Sequence, residues 1–256
     1  MNIFVIMKRT FDTEEKIQIE NGEVVEDGAE FIINPYDEYA VEEAIQLKEE
    51  HGGEVTVVSV GDEETEKQIR TALAMGADKG VLIEDEEIDG ADTFTVQELL
   101  KAYFKEQEVD IILGGNIAVD GGSGQIGPRL ADQLGINYVT SVTDLKIEDG
   151  TAKIEKDAEG DQIMIEVPLP VLITAQQGLN EPRYPSLPGI MKAKKKPLET
   201  LDLDDLDLDE EDVEPKTKTV DRYLPPEKQA GRKLEGELDE QVAELVSLLK
   251  NEAKVI

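Results

Sequence analysis

Residues 109–135, VDIILGGNIAVDGGSGQIGPRLADQLG, decide how this chain folds. The apolar run at the start has the length and composition of a buried strand, and the last third carries the pattern of a helix. The glycines between them free the backbone to approach a ligand, and the N–H groups at a helix N-terminus form a natural cradle for phosphate. The stretch predicts a strand, a ligand-binding loop and a helix in succession. We call residues 114–128 the glycine loop.

A second interpretation of these glycines stays open. Gly122, Gly124 and Gly127 match the dinucleotide pattern G-x-G-x-x-G, but they follow the fourth predicted strand, and no acid stands out at the end of the second strand to hold a ribose. A P-loop is excluded, because no Gly-Lys-Ser/Thr follows. We favour a phosphate cradle, and the alternative is a tight turn between a strand and a helix.

Strand and helix patterns alternate in the sequence that leads to the glycine loop. The segments that show these patterns in turn are MNIFVIM (1–7), NPYDEYAVEEAIQLKEEHGG (34–53), EVTVVSVG (54–61), DEETEKQIRTALAMGAD (62–78), KGVLIED (79–85) and DTFTVQELLKAYFKEQ (92–107). Such alternation is typical of a mostly parallel sheet covered by helices on both faces. The predicted fold class is therefore α/β, doubly wound and Rossmann-like.

A second loop at a strand end is FIINPYD (31–37), which places Asn34, Pro35 and Tyr36 at the start of a helix with Asp37 as its predicted N-cap. In a doubly wound sheet, ligands bind beyond the carboxyl ends of the strands. The ends of MNIFVIM, EVTVVSV and VDIIL are therefore expected to share one crevice with this loop and the glycine loop. That arrangement predicts a mononucleotide site.

The pattern changes after Gly135. Apolar and polar residues alternate over NYVTSVTDLKIEDG, TAKIEKDAEG and DQIMIEVPLPVLITA, with turn residues at Asp149-Gly150 and Glu159-Gly160. This predicts an inserted β-hairpin or meander, and VLITA (171–175) is a candidate for a buried strand that rejoins the sheet.

Beyond Pro197 the chain no longer has the pattern of a compact core. Nine acids lie between Asp202 and Glu214, which suggests a solvated acidic linker with one helical turn. RYLPPEKQAGRKLEG (222–236) is typical of an extended arm, and residues 237–256 predict an amphipathic helix. We therefore divide the chain into a nucleotide-binding α/β domain, 1–197, and a tail, 198–256. The helix needs a surface to cover, either on its own domain or on a partner subunit.

Composition excludes several classes of function. The chain has no cysteine, and its only histidine is His51, so a catalytic triad, a thiolate nucleophile and a His- or Cys-ligated metal site are excluded. A formal net charge of −33 argues against binding to nucleic acid. No apolar run is long enough to span a membrane and no secretory signal is visible, so we expect a cytoplasmic protein. The acidity fits either solubility or adaptation to high internal salt.

One stretch opposes this acidic balance. Residues 178–197, GLNEPRYPSLPGIMKAKKKP, carry one acid against five cations: Arg183, Lys192, Lys194, Lys195 and Lys196. Three prolines restrict the backbone around Leu187, which we expect to be presented to a partner. The alternative is that the lysines only solvate a surface helix and that Leu187 packs inward. We call residues 178–197 the cationic segment.

Taken together, these motifs resemble a known family. LNEPRYPSLPGIMKAKKKP, NPYDEYAVEEA, RTALAMGADKG and the glycine loop closely resemble the β subunit of electron-transfer flavoproteins, and the likeness runs in order along essentially the whole chain. Only the hairpin turn at 157–163 matches loosely. The resemblance implies an electron carrier without substrate turnover of its own, which forms a heterodimer with an α subunit on which the tail packs. FAD is then held mainly by the α subunit near the interface, and AMP is buried in the β subunit.

The resemblance also assigns residues. It implies an AMP pocket formed by Ile6, Asn34, Pro35, Tyr36, Asp37, Val60, Gly115, Asn116, Ile117, Ala118, Val119, Asp120, Gly121, Gly122, Ser123, Gly124, Gln125 and Ile126. Tyr36 is expected to approach the flavin as well. The cationic segment corresponds to the family's recognition loop, which docks partner enzymes through Leu187, Pro188, Ile190 and Met191.

The family resemblance leaves alternatives for the nucleotide and for the role of the chain. Some members carry a second FAD in place of AMP, but residues 121–124 lack the Asp-Thr-Ala associated with them, so AMP is favoured. The expected partners are acyl-CoA dehydrogenases of fatty acid oxidation and related flavin dehydrogenases as donors, and a membrane quinone oxidoreductase as acceptor. The competing hypotheses are an adenine-nucleotide-binding stress or regulatory module and an adenylyl-transferring enzyme.

Overall fold

The computed structural model describes residues 1–84, 90–226 and 230–256. Asp85, at the end of the strand predicted over 79–85, and residues 227–229 of the predicted arm lie outside the described residues. The strands are β1 Asn2–Ile6, β2 Arg9–Phe11, β3 Ile19–Glu20, β4 Glu23–Val24, β5 Phe31–Ile33, β6 Glu54–Val60, β7 Lys79–Ile83, β8 Ile111–Gly115, β9 Asn137–Glu148, β10 Thr151–Ala158, β11 Asp161–Pro168, β12 Val171–Ala175 and β13 Leu198–Leu201.

The chain divides into two compact units. The larger contains Met1–Ile17 and Val25–Val220, and the smaller contains Gln18–Val24 and Asp221–Ile256. The α-helices are α1 Pro35–His51, α2 Glu66–Met75, α3 Thr93–Lys105, α4 Ile126–Leu134, α5 Leu187–Ala193, α6 Glu210–Val213 and α7 Leu238–Asn251.

The larger unit is built on a nine-stranded sheet in the order β11-β10-β9-β12-β8-β1-β6-β7-β13. Each neighbouring pair in the row β9-β12-β8-β1-β6-β7-β13 is parallel. β10 pairs antiparallel with both β9 and β11. The chain leaves β1 towards β6 and β7 and then returns to the other side of β1 as β8 and β12. The strand order therefore reverses between β1 and β8, which makes this gap the switch point at which doubly wound proteins bind ligands. The predicted fold class is confirmed.

Helices cover both faces of this sheet because its strands are apolar on both sides. On one face, Ala44 of α1 and Leu73 of α2 lie in a buried cluster with Ile3 and Val5 of β1. On the other face, buried residues of α3 and α4 pack against Phe4. A strand that is buried on both faces reads as a continuous apolar run, which explains why MNIFVIM and VDIIL were recognisable in the sequence.

The hairpin insertion is also present. β9, β10 and β11 form an antiparallel meander, joined by turns at Asp149-Gly150 and Glu159-Gly160. VLITA is β12, which pairs in parallel with both β8 and β9. This segment therefore rejoins the sheet next to the strand that carries the glycine loop.

The expectation of a solvated linker after Pro197 is wrong for its apolar residues. β13 pairs with β7 and forms the last strand of the sheet, while Leu203 and Val213 are buried against the α3–α4 face. Asp92 holds the following residues by accepting hydrogen bonds from the backbone N–H groups of Lys216 and Thr217, at 3.0 and 2.8 Å. The larger unit thus extends past the boundary predicted at Pro197, to Val220, with the acids turned outward.

In the smaller unit, β3 pairs with β4, and Arg222 forms an ion pair with Glu23. Its C-terminal part is helix α7, as predicted from the amphipathic pattern. Leu238, Val242 and Val246 on this helix are exposed. Among the described residues no helix has the length and apolarity needed to cross a membrane.

Candidate functional site

A cavity of about 140 Å³ lies at the switch point, beyond the carboxyl ends of β1, β6 and β8. Apolar side chains of Ile6, Val58 and Val60 form part of its wall. Residues of the glycine loop and of the first turn of α4 form another part. A cavity with apolar walls and a few polar groups at one side is the usual form of a small-molecule site.

The structure brings together twelve of the eighteen residues that the family resemblance assigned to a nucleotide pocket. Those that line the cavity are Ile6, Asn34, Asp37, Val60, Gly115, Asn116, Ile117, Ala118, Ser123, Gly124, Gln125 and Ile126. Those that lie outside its lining are Pro35, Tyr36, Val119, Asp120, Gly121 and Gly122. The lining residues outside that assignment are Met7, Lys8, Val58, Val96, Leu100 and Gly127. Of these, Gly127 belongs to the glycine loop that the sequence indicated.

Asp37 joins the two strand-end loops. The sequence predicted Asp37 as the N-cap of α1, and this prediction is wrong. The N-cap is Asn34, and Asp37 lies buried in the first turn of the helix. Its carboxylate accepts hydrogen bonds from the backbone N–H groups of Lys8 and Gly115, both at 2.7 Å. Burial raises the pKa of Asp37 to about 7, against the opposing effect of these hydrogen bonds.

Asn34 fixes the next part of the glycine loop. Its side-chain amide donates to the carbonyl oxygen of Ile117 at 2.9 Å, and its side-chain oxygen accepts from the N–H of Val119 at 3.1 Å. Asn34 is buried, so both contacts are shielded from water. Asn34 and Asp37 thus hold the glycine loop against α1, which explains why two segments about 80 residues apart line one cavity.

We expect the substitution Asp37→Asn to show whether burial or hydrogen bonding determines the pKa of the Asp37 carboxyl group. The raised pKa means that the native state binds a proton more tightly than the unfolded state, so the contribution of Asp37 to stability falls as the pH rises from about 4 to about 7. The difference in unfolding free energy between wild type and variant should therefore shrink between about pH 5 and pH 8. Urea unfolding at the two pH values measures it. A difference that grows with pH would show that the backbone hydrogen bonds dominate and keep the carboxylate ionised.

Two glycines of the loop, Gly124 and Gly127, are required for different reasons. Gly124 has φ +59°, and a Cβ there would lie 3.1 Å from the carbonyl oxygen of Asn116, so this backbone favours glycine. At Gly127 a Cβ would lie 2.8 Å from Cγ2 of Thr174, so close packing of α4 on β12 accounts for this glycine, as in the tight-turn interpretation. The first turn of α4 leaves N–H groups without partners inside the helix, as a phosphate cradle requires.

A polar cluster lies at the ends of β8 and β12, next to Ser141 inside β9. The side-chain oxygen of Asn116 accepts hydrogen bonds from the hydroxyl groups of Thr174, at 3.0 Å, and Ser141, at 3.3 Å. Ser141 has φ +59° and lies at an irregularity in the pairing of β9. This cluster ties the start of the glycine loop to the strand that leads into the cationic segment.

Lys8 supplies the cation at this cavity that the sequence did not single out. It follows β1 closely and lines the cavity, and its ammonium group lies 2.6 Å from a carboxylate oxygen of Asp120 in the glycine loop. Both side chains are partly exposed, so this pair alone contributes little to stability. In a strongly acidic chain, an ammonium group at this position offsets the field that an anionic ligand would meet.

The cationic segment presents an apolar surface. Leu187 begins the short helix α5, whose first turn is capped by the hydroxyl of Ser186, and 73% of its surface is exposed. Pro188, Ile190 and Met191 are exposed as well. The alternative in which Leu187 packs inward is therefore wrong, although the prediction of a surface helix in that alternative is right. Ala193 is the buried residue of α5.

The five cations of this segment fall into two groups. Arg183 forms ion pairs with Glu42 and Glu49, and the ammonium group of Lys196 donates to the carbonyl oxygens of Leu73 and Ala77. These two fasten the segment to α1 and α2. The remaining cations are exposed: Lys192, Lys194 and Lys195.

Comparison with known proteins agrees with this architecture. The family model described as "Electron transfer flavoprotein domain" matches residues 21–206. The chain is 65% identical to the electron transfer flavoprotein subunit beta of Bacillus subtilis, over 100% of both chains. It is 42% identical to the subunit of the same name from Syntrophomonas wolfei, over 100% of this chain and 98% of that one. The caffeyl-CoA reductase-Etf complex subunit CarD of Acetobacterium woodii is 38% identical, over 98% of both.

The sheet and its strand-end cavity define a Rossmann-like α/β protein with a candidate mononucleotide site. The chain belongs to the electron transfer flavoprotein family, as a chain of the β-subunit type, and the resemblance noted in the sequence is confirmed. Membership of this family gives it a role in electron transfer.

Proposed function

We propose that this chain is the β subunit of a cytoplasmic heterodimeric electron-transfer flavoprotein without substrate turnover of its own. It accepts electrons from flavin dehydrogenases, such as the acyl-CoA dehydrogenases of fatty acid oxidation, and passes them to a membrane quinone oxidoreductase. FAD, held mainly by the α subunit, supplies the redox chemistry. The observation that carries the proposal is the match to β subunits along the full length of the chain.

The strand-end cavity is proposed to hold AMP as a structural group. The apolar walls formed by Ile6, Val60 and Leu100 suit a purine base. The N–H groups at the start of α4 and the ammonium group of Lys8 suit a phosphate. Asp37 and Asn34 hold the loops in place before the nucleotide binds, which lowers the cost of ordering them.

The exposed apolar side chains of the cationic segment are proposed to dock partner enzymes. Leu187 and Met191 stand out from the surface, and the neighbouring exposed lysines attract an acidic partner. Burial of one leucine contributes about 1.5–3 kcal/mol, which suits a transient complex. The exposed apolar side chains of α7 are proposed to cover part of the α subunit.

Co-expression with the α subunit tests the proposal. The expected product is a yellow heterodimer that releases equimolar FAD and AMP on denaturation, identified by chromatography. Release of FAD alone, at twice the heterodimer concentration, would replace AMP by a second FAD in this cavity. A stable colourless monomer that binds ATP would contradict the electron carrier and favour the regulatory module.

A further inference from the structure

Residues 180–183, which we call the stem of the cationic segment, are fastened to α1 at the adjacent residues Glu42 and Glu43. The guanidinium group of Arg183 donates to both oxygens of Glu42, at 2.9 and 3.0 Å, and to both oxygens of Glu49, at 2.7 and 3.1 Å. The Glu42 side chain is only 4% exposed. Burial opposes its ionisation, but the hydrogen bonds from Arg183 outweigh it and hold the pKa of Glu42 below its usual value. Arg183 and Glu42 therefore form an ion pair that persists at neutral pH.

The second attachment has a different chemistry. The side-chain amide of Asn180 donates to a carboxyl oxygen of Glu43, at 2.9 Å, and to the carbonyl oxygen of Tyr39, at 3.0 Å. Glu43 is buried, and among the described residues its only hydrogen-bond partner through the side chain is this amide. The side-chain oxygen of Asn180 is buried as well, and it lacks a donor among the residues that the structure describes. An amide oxygen in that position is costly unless a donor reaches it.

A protonated Glu43 is the candidate for the missing donor, because its carboxyl group already contacts the same side-chain amide. A neutral carboxyl group can accept from the amide N–H of Asn180 with one oxygen and donate to its amide oxygen with the other. The surroundings of Glu43 favour its protonated form. Burial is the main cause, and the carboxylates of Asp144, Glu42 and Glu50 act in the same direction. Together they raise the pKa of Glu43 to about 7, although the hydrogen bond from Asn180 lowers it. The acid is therefore neutral below that pH and charged above it.

We propose that Asn180 and Arg183 are positioning residues that hold the stem, which leads into the docking helix α5, in place on α1, and that the Asn180–Glu43 pair does so in its protonated form. The inference rests on the proposed function, because it takes the exposed side chains of α5 as the docking surface. The Arg183 ion pairs act throughout the neutral range. The Asn180–Glu43 pair loosens as Glu43 loses its proton, since a buried carboxylate next to Glu42 is relieved when the stem opens to water.

The difference between the pKa of Glu43 in the closed stem and in the open stem sets how strongly stem opening depends on pH. A carboxyl with a pKa of about 7 when the stem is closed, and an ordinary 4.5 when it is open, makes opening about tenfold more frequent at pH 8 than at pH 6. Amide hydrogen exchange of the full-length chain measures this opening, once the rates are corrected for intrinsic exchange. Suitable reporters are the N–H of Arg183, which donates to Glu42, and the N–H of Ile190, which donates to Ser186.

The isosteric variant Glu43→Gln removes the titration of this side chain and keeps its hydrogen bonds, so it tests whether the proton on Glu43 causes the pH dependence. Its amide can make the same two hydrogen bonds with Asn180 without a charge, so protection of these amides should equal that of wild type at pH 6 and stay unchanged at pH 8. Asn180→Ala should lose protection at both pH values. A wild-type stem with pH-independent protection, or a Glu43→Gln variant that opens more than wild type at pH 6, would overturn the proposal.

Electron transfer then separates this inference from the proposed function. In the heterodimer, the KM for the dehydrogenase should rise with pH in wild type and not in Glu43→Gln, while kcat at saturating dehydrogenase stays equal. If exchange follows the expected pattern but KM does not respond to pH, the Asn180–Glu43 pair is supported as a proton-dependent attachment, and the docking role of α5 is overturned instead.

Discussion

Replacement of Gly115 by alanine is expected to abolish nucleotide retention and to lower the free energy of unfolding by about 1–3 kcal/mol, the usual cost of overpacking. A Cβ at this position would lie 2.4 Å from a carboxyl oxygen of Asp37, 2.7 Å from Cβ of Tyr36 and 2.9 Å from the backbone nitrogen of Asp37. One of these neighbours is backbone in the first turn of α1, so a side-chain rotation cannot relieve the contact. The strand end and the helix must separate, and the hydrogen bond between Gly115 and Asp37 is lost with the shape of the cavity.

The matched control is Gly121→Ala, in the same loop. A Cβ at Gly121 meets no atom within 4 Å, so the same chemical change is expected to leave nucleotide content and stability close to wild type. Nucleotide bound per purified chain and urea unfolding midpoints measure both variants. Equal nucleotide content in Gly115→Ala and wild type would show that the strand-end cavity is not where the nucleotide binds.

Except for β13, the central sheet was predictable from the sequence because its signals are local. Buried parallel strands such as VDIIL are continuous apolar runs, and the turns of the meander carry Asp-Gly and Glu-Gly. The part of the cavity formed by the glycine loop was predictable for the same reason. Val96 and Leu100 line the cavity from α3, and their spacing in the sequence marks them only as the apolar face of a helix.

Two errors have a common physical cause. The position of Asp37 at a helix start predicts a cap, the usual local role of an acid there, whereas its partners are the N–H groups of Lys8 and Gly115, which are 29 and 78 residues away. The high charge of the stretch after Pro197 predicts a solvated linker in spite of its leucines, but Leu203 occupies a buried position that only the folded sheet provides. Local patterns cannot show contacts that form between distant segments.

Leu187→Ala is expected to weaken docking of the electron-donating dehydrogenase about 10- to 100-fold, since truncation removes most of the roughly 1.5–3 kcal/mol that burial of a leucine contributes. Leu187 is 73% exposed at the start of α5, so the substitution leaves the core intact, and flavin and nucleotide contents should equal those of wild type. Stopped-flow reduction of the heterodimer by a dehydrogenase, at concentrations below saturation, measures the loss.

Two further variants identify the cause of that loss. Leu187→Met keeps an apolar side chain of similar volume and should restore most of the rate. Met164→Ala removes a side chain that is 68% exposed on the edge strand β11, outside the cationic segment, and should leave the rate unchanged. If Leu187→Ala and Met164→Ala slow the reaction equally, the exposed leucine is not the anchor. If Leu187→Ala also loses flavin, the leucine supports the heterodimer rather than the encounter with the dehydrogenase.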